Sequence, residues 1–211
     1  MKRIALLLMM LFIIDGSSSA QQKVAPKPVT AALVNGKEFL LAYYDKTFQT
    51  LKSEISGLNS AQLQFKPDAG RWSVSQCLEH IILTERALFD FAKQGMAKPA
   101  NPKRRGEVKV TDEVVINGIN DRSKKAKATD ALTGKGSYND PQEALNVLRN
   151  DRKSRLDYIN EISIDSLRSH IIDSPFGPID AYQALLFVAG HTSRHTLQIE
   201  EVKADKNFPK K

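Results

Sequence analysis

Apolar residues recur every three to four positions in four stretches of the chain, the spacing that lines one face of an α-helix. The first stretch covers 29–55, with Leu33, Phe39 or Leu40, Tyr43 or Tyr44, Phe48 and Leu51 on its stripe and Gly57 as its stop. A linker with Pro67, Asp68 and Gly70 follows. Ser73, with Gln76 three residues on, forms a capping-box pattern that opens the second helix. Its stripe runs through Cys77 or Leu78, Ile81, Leu88 and Phe91 or Ala92 to Gly95. Over 96–139 the pattern is interrupted by Pro99, Pro102, Gly106, Gly118, Gly134 and Gly136, leaving one short helix expected around 112–126. Asp140 at an N-cap, Pro141 at the first helical position and Glu143 two residues later start the third helix, whose apolar line is Ala144, Leu145, Leu148, Leu156 and Ile159. A loop through Ser174-Pro175-Phe176-Gly177-Pro178 precedes a fourth helix over 179–203. No stretch reads as a strand, and there is no internal repeat. The expected fold is all-α, a four-helix bundle. Short joins favour antiparallel neighbours, whereas a crossover of about 45 residues between helices two and three can return the chain along the bundle, giving an up-down-down-up order.

Composition supports a globular chain: 41% of the 211 residues are hydrophobic and 26% charged. A disordered chain, a collagen-like repeat and a multi-span membrane protein are excluded. One cysteine excludes an intramolecular disulfide framework and any Cys-rich zinc module. The first twenty residues read as a signal peptide. Lys2 and Arg3 precede an apolar run over 4–14, and Ser18-Ser19-Ala20 offers small residues for cleavage before Gln21. The run falls short of the roughly 20 apolar residues of a bilayer span, Asp15 and Gly16 close it, and no Cys near the cut allows a lipid anchor. The expected organisation is a leader over 1–20, a flexible stretch over 21–28 with Pro26 and Pro28, one bundle domain over 29–205 and a tail over 206–211. Export makes the protein periplasmic or secreted.

The formal charge of +7 becomes +6 once Lys2, Arg3 and Asp15 are removed. The segment 93–127 carries ten Lys or Arg against four acids and holds that excess alone. Such a stretch can attract an anionic partner, but this one lacks the aromatic residues that stack bases. It is expected to be a solvated loop, with no nucleic-acid partner.

The chemistry then rests on four histidines, His80, His170, His191 and His195. His191 and His195 lie four apart, one turn above another on one helix face, a spacing at which two imidazoles reach one metal ion. With Ala184, Val188 and Val202 on the same stripe, both point toward the bundle interior. His80 sits beside the stripe of the second helix, and bundle metal sites draw ligands from facing helices. The alternative for all three is a set of hydrogen-bonded core histidines. His170 reads as a helix-end residue and Cys77 as a core residue. Glu79 points about 100° away from His80 around the helix, while Glu85 and Gln198 are closer by face. Arg194 has no assigned role.

Trp72-Ser73, His80 eight residues after the Trp, Phe176-Gly177 and the run His191-Thr192-Ser193-Arg194-His195-Thr196-Leu197-Gln198-Ile199 resemble the DinB-like (DinB/YfiT) four-helix-bundle superfamily over 29–203. The resemblance implies a divalent-metal site on His80, His191 and His195, with Zn, Ni, Fe or Mn as the ion, since nitrogen donors do not choose among these. It implies a metal-dependent hydrolase or a thiol S-transferase. Export from the thiol-rich cytosol favours a hydrolase of a small substrate, and a non-catalytic ligand-binding bundle is the other reading. No acid or base is assigned. The expected partner is a small molecule, with a homodimer as an open option and no stable membrane anchor.

Overall fold

A computed structural model describes residues 36–123 and 125–210. The leader, the stretch 21–28 and the first turns of the expected first stripe, Leu33 included, lie outside the described residues. Four long helices carry the fold: α1 (Lys37–Ile55), α3 (Val74–Met96), α5 (Pro141–Glu161) and α7 (Ala181–Lys203). Three short helices, α2 (Ser60–Gln64), α4 (Asp112–Asn120) and α6 (Ile164–Ser169), and one hairpin, β1 (Ile171–Ser174) with β2 (Gly177–Asp180), complete it. Short 3-10 helices occupy Pro102–Glu107 and Asp130–Leu132.

Two caps follow the sequence reading: Ser73 and Gln76 form the capping box of α3, and Asp140 caps α5 with Pro141 behind it. Asp180, expected inside the fourth helix, instead caps α7 in a box with Gln183. The first helix is described from Lys37, with Gly36 at its N-cap, and its expected start at 29 lies outside the described residues. Two further expectations are corrected. The linker after Gly57 contains α2, closed by its own box of Asn59 and Gln62. The loop before α7 is an antiparallel hairpin pairing Ile171 with Asp180 and Ser174 with Gly177. It turns at Pro175-Phe176, and Gly177 takes a φ of 101° that a side chain would oppose. Ile171 and Ile172 are both buried, so β1 lacks the alternation that announces a strand.

Contacts between the long helices define the bundle. Like ends of α1 and α7 meet, through Tyr182 Oη donating to Gly36 O at 2.8 Å and Lys203 Nζ to Glu54 Oε2 at 2.8 Å. Like ends of α3 and α5 meet through Ser75 and Tyr138 at one end and the edge-to-face Phe89 and Tyr158 rings at the other. Opposite ends of α1 and α5 meet where Lys37 donates to Asn160 O. The seam between α3 and α7 is the broadest.

Two apolar clusters fill the interior. One joins Leu40 and Tyr44 to Phe89, Ile159 and Leu186; the other joins Leu51 and Ile55 to Cys77, Ile81, Leu145 and Ile199. Between them lies a charged layer. Glu85, fully buried, accepts from Arg152 Nη2 at 2.5 Å, Arg155 Nη1 at 2.6 Å and Thr192 Oγ1 at 2.5 Å. Arg152 also donates to Thr47 Oγ1 at 3.0 Å and to the carbonyl of Tyr44.

The crossover does return along the bundle, and it is not a free basic loop. Gln183 Nε2 donates to Val110 O, Arg194 Nη1 to Ile119 O and Asp121 O, and Arg122 holds Glu201, so the segment tracks the length of α7. Arg104 pairs with Glu107 and Asp173. Arg105 and Arg168 share the buried Asp180, and Arg168 also takes Asp112 at 2.5 Å. Three arginines of the segment, Arg104, Arg105 and Arg122, are thus paired with acids. At the other end of the chain, Phe208 stands edge-on to Phe65, and Pro209 O accepts from Gln62. Among the described residues no helix is long and apolar enough to cross a membrane.

Replacing Glu85 by Leu leaves two guanidiniums buried without their shared carboxylate. The variant is expected to lose about 3–5 kcal/mol in urea unfolding followed by circular dichroism. Lys153→Ala, which breaks an exposed pair with Asp157, should leave the midpoint nearly unchanged.

Candidate metal centre

The α3–α7 seam brings together the three histidines that spacing singled out. His80 lies two turns into α3, and His191 and His195 follow one another by a turn on α7. All three are buried, at 3%, 4% and 6% exposure. Their ring centroids are 4.4–5.0 Å apart, and one ring nitrogen from each lies within 4.8 Å of the others. Ligation at about 2.1 Å in a tetrahedral arrangement needs nitrogens roughly 3.4 Å apart. Small ring rotations cover that difference.

Hydrogen bonds set the ring protons. His80 Nδ1 faces Leu132 O at 2.6 Å, an obligate acceptor, so it carries the proton and Nε2 carries a lone pair. Thr84 Oγ1 lies 3.3 Å from the same nitrogen. His195 Nδ1 donates to Gln198 Oε1 at 2.8 Å. Arg122 Nη1 donates to that oxygen at 3.4 Å, which requires the amide oxygen to face this way. His195 Nε2 is therefore also a lone pair, and it stands 3.2 Å from His191 Nε2. Two facing nitrogens require a shared proton or a cation between them. His191 Nδ1 is buried without a partner, so protein hydrogen bonds alone do not satisfy this donor set. The residues fit a divalent ion.

Electrostatics agree with that fit. Burial depresses the pKa of His80, with Arg194 adding to it. Burial, the His80 imidazole and Arg194 hold His191 well below its usual value, and burial, the other two imidazoles and Arg122 do the same for His195. Neutral imidazole is the state that binds a metal. The Trp72 ring stands edge-on to His80 at 4.8 Å and stacks over His195 at 6.1 Å, covering one side of the cluster.

Other candidates fall elsewhere. His170 caps α6 by facing Ser166 O at 2.7 Å. Cys77 is a fully buried core residue, and burial pushes its thiol up to about 12. Glu85 was close to the histidines by helix face, yet its carboxylate belongs to the Arg152–Arg155 layer. Gln198 does reach a histidine. Glu79 turns away, as its angle on the helix required, and accepts backbone N–H groups from 135–137. Spacing could not reveal Leu132, whose contribution is a carbonyl; Trp72 carried a signal only as part of a family-like motif.

Three comparisons bear on this arrangement. The family model of the DinB superfamily matches residues 43–199. The uncharacterized protein YuaE of Bacillus subtilis (strain 168) is 24% identical over 154 residues, covering 72% of this chain and 89% of YuaE. A solved structure of YfiT from Bacillus subtilis, described as a probable metal-dependent hydrolase with an unusual four-helix bundle topology, superposes with a TM-score of 0.56 at 15% identity, covering 87% of this chain and 94% of YfiT. That likeness establishes a shared fold. With the family match spanning most of the chain, including the three-histidine seam, the protein belongs to the DinB superfamily.

Proposed function

We propose that His80, His191 and His195 hold one divalent metal ion and that the chain is an exported, metal-dependent hydrolase of a small substrate. The observation that carries the reading is the pair of Nε2 lone pairs on His80 and His195, fixed by Leu132 O and Gln198 Oε1, with His191 Nε2 3.2 Å from that of His195. When bound, such an ion supplies Lewis acidity that lowers the pKa of water toward neutrality. The imidazoles hold it in neutral form, Gln198 keeps the His195 proton on Nδ1, and Trp72 excludes water from one side of the cluster. The similarity to YfiT supports hydrolysis over group transfer. An up-down-down-up order of the long helices belongs to the same reading; the like-end contacts of α1 with α7 and of α3 with α5 support it.

Elemental analysis after incubation with excess Zn, Ni, Fe or Mn should give about one ion per chain in the wild type and a loss in His80→Ala and His195→Ala. Equal, negligible metal in all three would overturn the reading. Hydrolysis of an activated ester by the loaded protein should be abolished by a chelator.

In the metal-free chain the three imidazoles have lower pKa values folded than unfolded, where about 6.5 applies. Below that pH the unfolded state binds more protons, so stability is full above about pH 6.5 and declines as pH falls, by up to about 1.4 kcal/mol per unit for each ring. Urea midpoints in chelator should be level from pH 8 to 7 and fall toward pH 5, less steeply in His195→Ala.

Mass spectrometry of the native protein should find Gln21 at the N-terminus. An intact Met1 would overturn export by cleavage.

A further inference from the structure

A short piece of the crossover, 132–138, is tied to the start of α3 by contacts that no capping or packing rule demands. Ser75 Oγ donates to Tyr138 O at 2.7 Å and accepts from Tyr138 N at 2.9 Å. Gln76 Nε2 donates to Gly134 O at 3.1 Å. The approach is so close that a Cβ on Gly134 would lie 2.0 Å from Gln76 O. Glu79 completes the attachment: its Oε2 accepts from the backbone N–H groups of Lys135, Gly136 and Ser137 at 2.8, 2.9 and 3.2 Å. Three consecutive amides converging on one oxygen form an anion nest, here filled by the chain's own carboxylate. Three residues before Lys135 is Leu132, whose carbonyl takes the Nδ1 proton of His80.

We propose that Glu79 is a positioning residue for His80: by pinning 135–137 it places the Leu132 carbonyl, which keeps the His80 proton on Nδ1 and leaves Nε2 free to bind the metal. This rests on the metal reading for its consequence but not for its geometry. His80 and Glu79 are adjacent in sequence and point to different surfaces of α3, and the loop connects them. Outer partners of ligating histidines commonly set metal affinity by about ten- to a hundredfold. Coupling is reciprocal, so an ion on His80 should also hold the loop closed. Lys135, exposed in that loop, offers a cleavage site that reports its opening.

The test uses the full chain as wild type, Glu79→Ala, Glu79→Gln and Arg104→Ala, the last breaking ion pairs at the far end of the crossover. Zn²⁺ affinity is measured by competition with a chromophoric chelator, trypsin cleavage after Lys135 with and without Zn²⁺, and exchange of the His80 ring proton by NMR in the metal-free protein. Glu79→Ala should bind Zn²⁺ at least about tenfold more weakly, exchange the His80 ring proton at least tenfold faster and lose the protection that Zn²⁺ gives Lys135. Glu79→Gln should fall between it and wild type, and Arg104→Ala should match wild type. Unchanged affinity and ring-proton exchange in Glu79→Ala would overturn the proposal. If the wild type binds no Zn²⁺ while Glu79→Ala still loses the slow ring proton, the metal reading fails and the positioning of His80 stands.

Discussion

Three imidazole rings occupy the seam between α3 and α7 with almost no exposure to water, and this burial requires them to be neutral. A neutral imidazole carries one N–H and one lone pair, and in a dry seam each must find its complement. Leu132 O and Gln198 Oε1 take the protons of His80 and His195, which turns their lone pairs inward. What remains is the contact of His191 Nε2 with His195 Nε2 at 3.2 Å, where a proton or a cation must stand between the two nitrogens. The crossover, the clamp on α3 and the Arg122–Glu201 pair all bear on that seam.

A bundle with a polar site in its interior needs rigid walls, and the core supplies them in two apolar blocks on either side of the Glu85 layer. That layer is costly to desolvate, but its donors are closely matched by carboxylate, carbonyl and hydroxyl oxygens. Thr192 belongs to it while its neighbour His191 belongs to the histidine cluster, so one turn of α7 is registered against both. Sliding α7 along α3 would break the two sets of contacts together. The arginines of the crossover act similarly at the surface. Arg105 and Arg122 meet acids at opposite ends of α7 and hold the returning segment along it.

Much of this was legible in the chain. Ser73 with Gln76 and Asp140 with Pro141 marked helix starts because a cap is a local contract between a side chain and the next turn. The four apolar stripes marked the long helices for the same reason, and the i to i+4 spacing of His191 and His195 survives any tertiary arrangement. The hairpin was not legible, since both faces of β1 at Ile171 and Ile172 are covered by neighbours distant in sequence. Nor was the true setting of Glu85, whose helix face pointed near the histidines but whose partners come from α5.

By itself, then, the sequence determined the four long helices, the caps of α3 and α5 and a pair of histidines on one face, all consequences of bonds and periodicities within a few residues. Only the tertiary structure decided that His80 joins that pair, that a carbonyl from the crossover holds its proton, and that Arg104, Arg105 and Arg122 of the basic segment pair with acids of the bundle. Each of these depends on groups brought together across 40 or more positions, and no local pattern encodes the burial that makes an unpaired nitrogen or charge expensive.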